Sequence, residues 1–464
     1  RLLRSRLFMC MFLRYDAVMD FKEYFEGKNI TVMGLGLLGR GVGDTEFLAE
    51  MGAKLTVTDL KRKEELGTSL AQLTAFPDIS YVLGEHKHED FEGRDFILKA
   101  AGVPLDSAYI AHARASGVSV KMSAALFAQL SHVPMVGVTG TRGKSTVTHM
   151  IHHVLKESTD AVDTGGVLLG GNVRGVSNLA LLRDVGPDSI AVCELDSWQL
   201  QGFGEEKISP QVAVFTSFMP DHMNYYHHDM EAYFGDKAQI FLHQDAHGAL
   251  ITTREVFEYA HGYARRHGLT IGGEVILTDL SAIPDSLMLT MPGVHNRMNA
   301  ALATETLRAL SLSDEEIFAG LSSFRGVPGR LEFMGERQGV KIWNDNNATT
   351  PDATVEGLRA VADGKNVVLI MGGADKGLDV EALLREVGRS AKEVIMLPGT
   401  GTERMRAFLP NAHLVADVAE ALSRAIAASE SGDSILFSPA FASFGLFANE
   451  YERNDAFVSA VTQS

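Results

Sequence analysis

Cysteine is nearly missing from this chain: Cys10 and Cys193 are the only two in 464 residues. Two thiols build neither a disulfide framework nor a cysteine metal cluster, so a reducing, cytoplasmic setting is expected. Positive charge is also short. Lysine and arginine number 42 against 59 acidic residues, for a formal charge of −17. That balance argues against a general nucleic-acid binder but leaves room for a local basic pocket. The apolar run near the start, Leu7–Leu13, is too short to span a membrane. It lies in RLLRSRLFMCMFLRYDAV, which has a basic start like a weak signal peptide but no A-x-A cleavage site. An over-extended start is the expectation, with Met19 as initiator and residues 1–18 outside the fold. No internal repeat or low-complexity tract is visible.

What is present reads as a soluble globular chain, 45% hydrophobic and 22% charged, and too long for one core. From residue 28 onward, short apolar runs alternate with helical patterns. Strands are expected at 29–36, 53–59, 95–100, 134–140, 189–195, 211–218, 340–345, 366–373, 393–399 and 434–440. Strands rich in Val and Ile, separated by amphipathic helices, predict parallel sheets covered on both faces. Proline and glycine punctuate SHVPMVG (131–137) and FRGVPGR (324–330). Those joints divide the chain into three α/β blocks, 19–122, 123–325 and 326–464.

The stretch GVTGTRGKST (137–146) carries the clearest chemistry. A G-x-x-x-x-G-K-[ST] phosphate loop would need glycine at 138, where Val138 stands; the glycines are Gly137, Gly140 and Gly143. The context still suits a phosphate. An apolar strand precedes the loop and a helical pattern follows, so backbone N–H groups and a helix dipole converge on an anion. Lys144 would reach the β- and γ-phosphates, and Ser145 would ligate Mg²⁺. Gly34-x-Gly36-x-x-Gly39, with Asp59 ending the next strand, fits NAD, another nucleotide, or a tight turn without ligand. Glu194 ends an apolar strand as a Walker-B-type acid does. Asp221 and His222 follow another strand and could hold Mg²⁺ beside the loop. His227, His228 and His243 read as residues without function, and Lys237, on spacing alone, as a solvated helix lysine.

The loop Gly137-x-x-Gly140-x-x-Gly143-Lys144-Ser145-Thr146 resembles the ATP loop of the Mur ligases, so its glycine spacing is that family's own. GLGLLGRG with TVTD, GGN, ELDSWQL, PDHM, Lys237, HNRMNA, WNDNNATTPDA, GGADKGLD and SPAFASFGLFANEYERND follow in the family's order. The resemblance covers nearly the whole chain. It implies an α/β protein of three domains: a Rossmann-like N-terminal domain, a central P-loop ATPase-type domain and a Rossmann-like C-terminal domain. It also implies an ATP-dependent amide-bond-forming ligase that adds D-glutamate to UDP-N-acetylmuramoyl-L-alanine through an acyl phosphate, in peptidoglycan precursor synthesis. The D-N-P-A-R-like signature of the diaminopimelate- or lysine-adding relative is lacking.

Site roles follow from the same resemblance. Gly36, Leu37, Leu38, Asp59 and Gly102 would line a UDP pocket, with Asn172 and Gln199 on the muramoyl part. Gly140, Thr141, Arg142, Gly143, Lys144, Ser145 and Thr146 would bind ATP, with Asn296 and Asn299 facing adenine and Arg330 and Asp345 contacting the nucleotide. Ser145 and Glu194 would hold one Mg²⁺; His222 and a carbamylated Lys237 would hold a second. Lys144, Glu194, His222 and Lys237 would form the catalytic set. Lys376, Ser443 and Phe444 would receive D-glutamate. A closing third domain would shield the acyl phosphate from water. The resemblance implies no nucleic acid and no membrane span, and a monomer is expected. Asn347, Asp196 and Glu450-Tyr451 depart from the family's commoner residues. An NAD-dependent oxidoreductase would leave the Lys144 loop idle, and a P-loop switch would leave Asp345 and Lys376 unused. Folylpolyglutamate synthase shares the ATP apparatus but has no UDP-type first domain.

Overall fold

The computed structural model describes residues 21–37, 39–158 and 166–463. Leu38, Cys10 and the proposed start at Met19 lie outside the described residues. The chain forms two units. One runs to Pro284 and includes Ala300–Gly320; the other comprises Asp285–Asn299 and Leu321–Ser464.

The first unit carries two sheets. Strands β1 (Asn29–Met33), β2 (Lys54–Asp59), β3 (Ser80–Leu83), β4 (Phe96–Lys99) and β5 (Ser119–Lys121) pair in the order β3-β2-β1-β4-β5. All four pairings are parallel. Strand order reverses between β1 and β4, so the loops leaving these two strands open side by side at the carboxyl edge. That crevice is where open α/β sheets bind ligands.

The second sheet holds β6 (Met135–Thr139), β7 (Val167–Gly171), β8 (Ile190–Glu194), β9 (Val212–Phe215), β10 (Ala249–Thr253) and β11 (Glu274–Thr278). Its order is β11-β10-β9-β6-β8-β7, again parallel throughout. β6 lies between β8 and β9, so the loop after β6 emerges between the ends of its two neighbours. One continuous core, from Phe25 and Phe47 through Phe127 to Phe203 and Phe215, joins the two sheets of this unit.

The C-terminal unit has β12 (Glu332–Arg337), β13 (Val340–Asn344), β14 (Val367–Gly372), β15 (Ala391–Leu397), β16 (His413–Leu414) and β17 (Ser434–Phe437), ordered β12-β13-β17-β14-β15-β16. Alternate residues of β14 feed two cores. Val367, Leu369 and Met371 pack on one face, and Val368 and Ile370 on the other. This is the period-2 geometry of a strand buried on both sides. One edge departs from the parallel expectation: β12 runs antiparallel to β13. Gln338 and Gly339 between them have φ of 50° and 79°, the paired positive angles of a two-residue hairpin turn. Among the described residues no helix is long and apolar enough to cross a membrane.

Candidate active site

The three glycines of the 137–146 loop do different work. Gly137 lies inside β6, where a Cβ would come 2.5 Å from Pro210, so its role is packing. Gly140 adopts φ 141°, and a Cβ there would stand 2.0 Å from Thr216 Oγ1. Only glycine lets the loop press this closely on the end of β9. Gly143, at φ 85°, turns the chain into the helix Lys144–Ser158. The loop is sewn to the β9 extension by Thr141 N–H to Ser217 O (2.8 Å) and Arg142 N–H to Ser217 Oγ (2.9 Å). Arg142 also pairs with Asp221 at 3.0 Å.

One strand end, that of β8, and two helices, Lys144–Ser158 and Met230–Ala238, deliver the polar groups. Ser145, at the helix start, donates from Oγ to Glu194 Oε2 at 2.5 Å, and both are buried. Lys144 Nζ donates to the Gly140 and Thr141 carbonyls at 3.1 and 3.2 Å. Lys237 donates from Nζ to the Gly140 carbonyl at 2.8 Å and lies 4.9 Å from the Tyr233 ring centroid. It is only 2% exposed, so the solvated-lysine reading fails. Helical spacing located the residue but could not show that its face turns inward. Burial, reinforced by the Lys144 charge, holds the Lys237 amine well below the ordinary lysine value, against the opposing pull of Asp196, Asp221 and Glu194.

His222 has φ 54° and rests on Trp198, with ring centroids 4.8 Å apart. Its side chain keeps 42% exposure, yet crowding of the rest of the ring lowers its basicity. Asp221 opposes that shift, and the Lys144 and Lys237 charges add to it. Among the described residues, no three His, Cys, Asp or Glu side chains converge as a ready-made metal cage. The hydroxyl–carboxylate pair of Ser145 and Glu194 fits Mg²⁺ all the same. That ion takes one or two carboxylates and fills its shell with phosphate oxygens and water.

The N-terminal glycine loop is braced from β2. Asp59 accepts Gly36 N–H at 3.0 Å and Lys61 N–H at 2.9 Å. Ser69 Oγ holds the Gly36 carbonyl at 2.8 Å. Leu37, on the same loop, and Gly102, on the loop after β4, face solvent. Arg40 donates to Asn172 Oδ1, and Asn172 N–H bonds the Glu194 carbonyl at 2.7 Å. The Glu194 strand end and the glycine-loop helix are thereby linked through Asn172. Asp196 closes a capping box with Gln199 at the start of the helix Ser197–Glu206. This departure from the family's commoner residue therefore serves as a strong N-cap.

In the C-terminal unit, Asp345 follows β13 and is 9% exposed. Its carboxylate accepts Ser438 Oγ–H at 2.8 Å and Leu331 N–H at 3.1 Å. Burial pushes its pKa up to about 7, against those hydrogen bonds and the Arg330 charge. Arg330 Nε is buried without a hydrogen-bond partner. Asn299 donates to Asn296 Oδ1 at 3.2 Å, and both side chains are buried. Lys376 Nζ reaches Thr349 Oγ1 at 3.2 Å; Ser443 is buried, and Phe444 is 61% exposed.

Sequence reasoning missed Arg453, which is 1% exposed. It donates to Asn346 Oδ1 and to the Asn346 and Phe441 carbonyls at 2.8, 2.9 and 3.1 Å. Asn346 in turn donates to Asn347 Oδ1 and the Glu450 carbonyl. Two of the departures thus share one buried network. A charged residue in a helical pattern gave no signal of this.

Three family models match in order: the MurD-like N-terminal domain of Mur ligases at residues 28–122, the Mur ligase middle domain at 138–271, and the Mur ligase glutamate ligase domain at 329–441. The UDP-N-acetylmuramoylalanine--D-glutamate ligase of Roseiflexus sp. (strain RS-1) is 36% identical over 466 residues, covering 93% of this chain and 97% of that one. Two solved structures share the fold. UDP-N-acetylmuramate-alanine ligase MurC from Thermotoga maritima has a TM-score of 0.60 at 19% identity, over 94% of this chain and 99% of the other. MurF ligase from Thermotoga maritima in complex with ADP has a TM-score of 0.55 at 15% identity, over 96% and 97%. With a 36%-identical relative matched nearly end to end and its three domain types in sequence, the chain belongs to the Mur ligase family.

Proposed function

We propose that the chain is the ATP-dependent ligase that joins D-glutamate to UDP-N-acetylmuramoyl-L-alanine in peptidoglycan precursor synthesis. The observation that carries this reading is the loop Gly140–Thr146, with Lys144 and the Ser145–Glu194 pair, in a chain so similar to a D-glutamate ligase. We assign residues 19–122 to the UDP substrate, 123–325 to ATP and 326–464 to the amino acid, in a cytoplasmic monomer.

The chemistry follows from the residue types. A carboxylate is a poor electrophile, so the L-alanine carboxylate first attacks the γ-phosphorus of ATP. ADP leaves and an acyl phosphate forms. The neutral amine of D-glutamate adds to its carbonyl carbon, the bond from that carbon to the phosphate oxygen breaks so that phosphate leaves, and the nitrogen gives up a proton. Gly140–Thr146 would bind the phosphates, with the Lys144 ammonium on the oxygens that gain charge. Arg330 and Asp345 would contact the nucleotide, Asn296 and Asn299 its adenine, and Lys376, Ser443 and Phe444 the D-glutamate. Gly36, Leu37, Leu38, Asp59 and Gly102 would line the UDP pocket, with Asn172 and Gln199 on the muramoyl part.

Ser145 and Glu194 would hold one Mg²⁺, and His222 with a carbamylated Lys237 a second. Bound Mg²⁺ supplies charge neutralisation to the transferring phosphoryl group. One feature of Lys237 supports the carbamate. Its buried amine is held toward the neutral form, which attacks CO₂ to form an N–C bond and release a proton. The product is an anion with two oxygen ligands suited to a hard cation. Calorimetry tests the substrate assignment: UDP-N-acetylmuramoyl-L-alanine should bind and NAD⁺ should not. Tight NAD⁺ binding without UDP-sugar binding would sink it.

A further inference from the structure

Lys99 ends β4 as a buried lysine that the chemistry above leaves unused. It is 2% exposed, and its Nζ donates to three carbonyls of the loop it begins: Ala100 (3.1 Å), Ala101 (3.3 Å) and Val103 (2.6 Å). An ammonium has three donors, and here each has an acceptor within four residues of its own backbone. The loop lies against the glycine loop across the β1/β4 switch point, where a Cβ on Gly34 would come 3.0 Å from Ala100 Cβ. In a trans peptide the C=O and the next N–H point in opposite directions. With the Ala101 carbonyl turned in toward the ammonium, the Gly102 N–H is turned away from it, at an exposed position.

We infer that Lys99 is a positioning residue for the nucleotide half of the substrate: by gathering these carbonyls it aims the Gly102 N–H at an acceptor oxygen of UDP. This rests on the assignment of Gly102 to the UDP pocket. The charges that act on Lys99 are Asp196 and Asp236, which favour its charged form, and Arg114, which opposes it. Burial outweighs them and lowers its pKa to about 8. A neutral amine has two donors for three carbonyls and no charge with which to polarise them. The loop's grip should therefore loosen as pH rises through that value.

The test uses the full chain, calorimetry with UDP, and steady-state kinetics. Lys99→Met should raise the Kd for UDP and the KM for UDP-N-acetylmuramoyl-L-alanine about tenfold, the loss of about one hydrogen bond to substrate. Its KM for ATP should stay within twofold. In the unaltered chain, the Kd for UDP should rise several-fold between pH 7.0 and 8.75, and in Lys99→Met it should not. Equal losses for UDP and ATP would mark Lys99 as merely structural and overturn the inference, as would unchanged UDP binding. If Lys99→Met does not fold, the pH dependence of the unaltered chain decides: a flat Kd overturns the inference and a rise supports it. A chain that binds no UDP at pH 7.0 would overturn the substrate assignment itself, and this inference with it.

Discussion

Asp345→Asn should make the C-terminal unit more stable at neutral pH while abolishing turnover. The buried carboxylate titrates near 7 in the fold, against a usual value of 3.8. Its folded pKa is raised, so its favourable contribution is fully present below the unfolded value and is lost as pH climbs through the folded one. About three pKa units at about 1.4 kcal/mol each set a ceiling near 4 kcal/mol for the cost of ionisation above pH 7. Relaxation and water penetration leave about half of that, or about 2 kcal/mol. An asparagine keeps the geometry. Its oxygen still accepts Leu331 N–H, and Ser438 Oγ can donate instead to Thr354 Oγ1, 2.9 Å away. The chain's two tryptophans permit a local assay: with Trp198→Phe as background, buried Trp343 reports on the C-terminal unit alone. Asp345→Asn should raise its melting temperature by about 4–8 °C at pH 8. The gain should fall to about a third of that at pH 5 and vanish below pH 4. A destabilised variant at pH 8, or a gain independent of pH, would refute the reasoning.

Lys144→Ala should abolish ATP-dependent turnover with the melting temperature nearly unchanged, since its ammonium matters most as phosphoryl charge moves; near-normal kcat would remove the phosphate-loop assignment. Lys237→Ala should lose activity, and short carboxylic acids should restore part of it by supplying oxygen ligands where the carbamate would stand. An active variant that these acids do not stimulate would return Lys237 to a packing role. Asp196→Ala should cost about 1 kcal/mol in denaturant unfolding of the first unit through loss of the capping box; no change in midpoint would show the cap to be redundant.

Buried strands could be read from the sequence far better than edges. All ten expected strands form, because β1, β6, β8 and β14 are apolar runs buried on both faces. Those that escaped notice include β3, β5, β11, β12 and β16, which are partly exposed edge strands with at most three apolar residues in a row. β10 (ALITT) escaped although its first four residues are buried. Its paired threonines hid it. The phosphate loop was legible because glycine, lysine and serine occur together at local spacing. The three-carbonyl cradle of Lys99 and the Arg453 network were not. Both depend on which way a charged side chain turns, which tertiary packing decides and composition does not record.

The central claim is tested most directly by turnover of the purified chain with UDP-N-acetylmuramoyl-L-alanine, ATP, Mg²⁺ and D-glutamate, each omitted in turn. The account predicts equal amounts of ADP, phosphate and UDP-N-acetylmuramoyl-L-alanyl-D-glutamate, and product only when all four are present. ATP hydrolysis indifferent to D-glutamate, or product formed with another amino acid and not with D-glutamate, would contradict it.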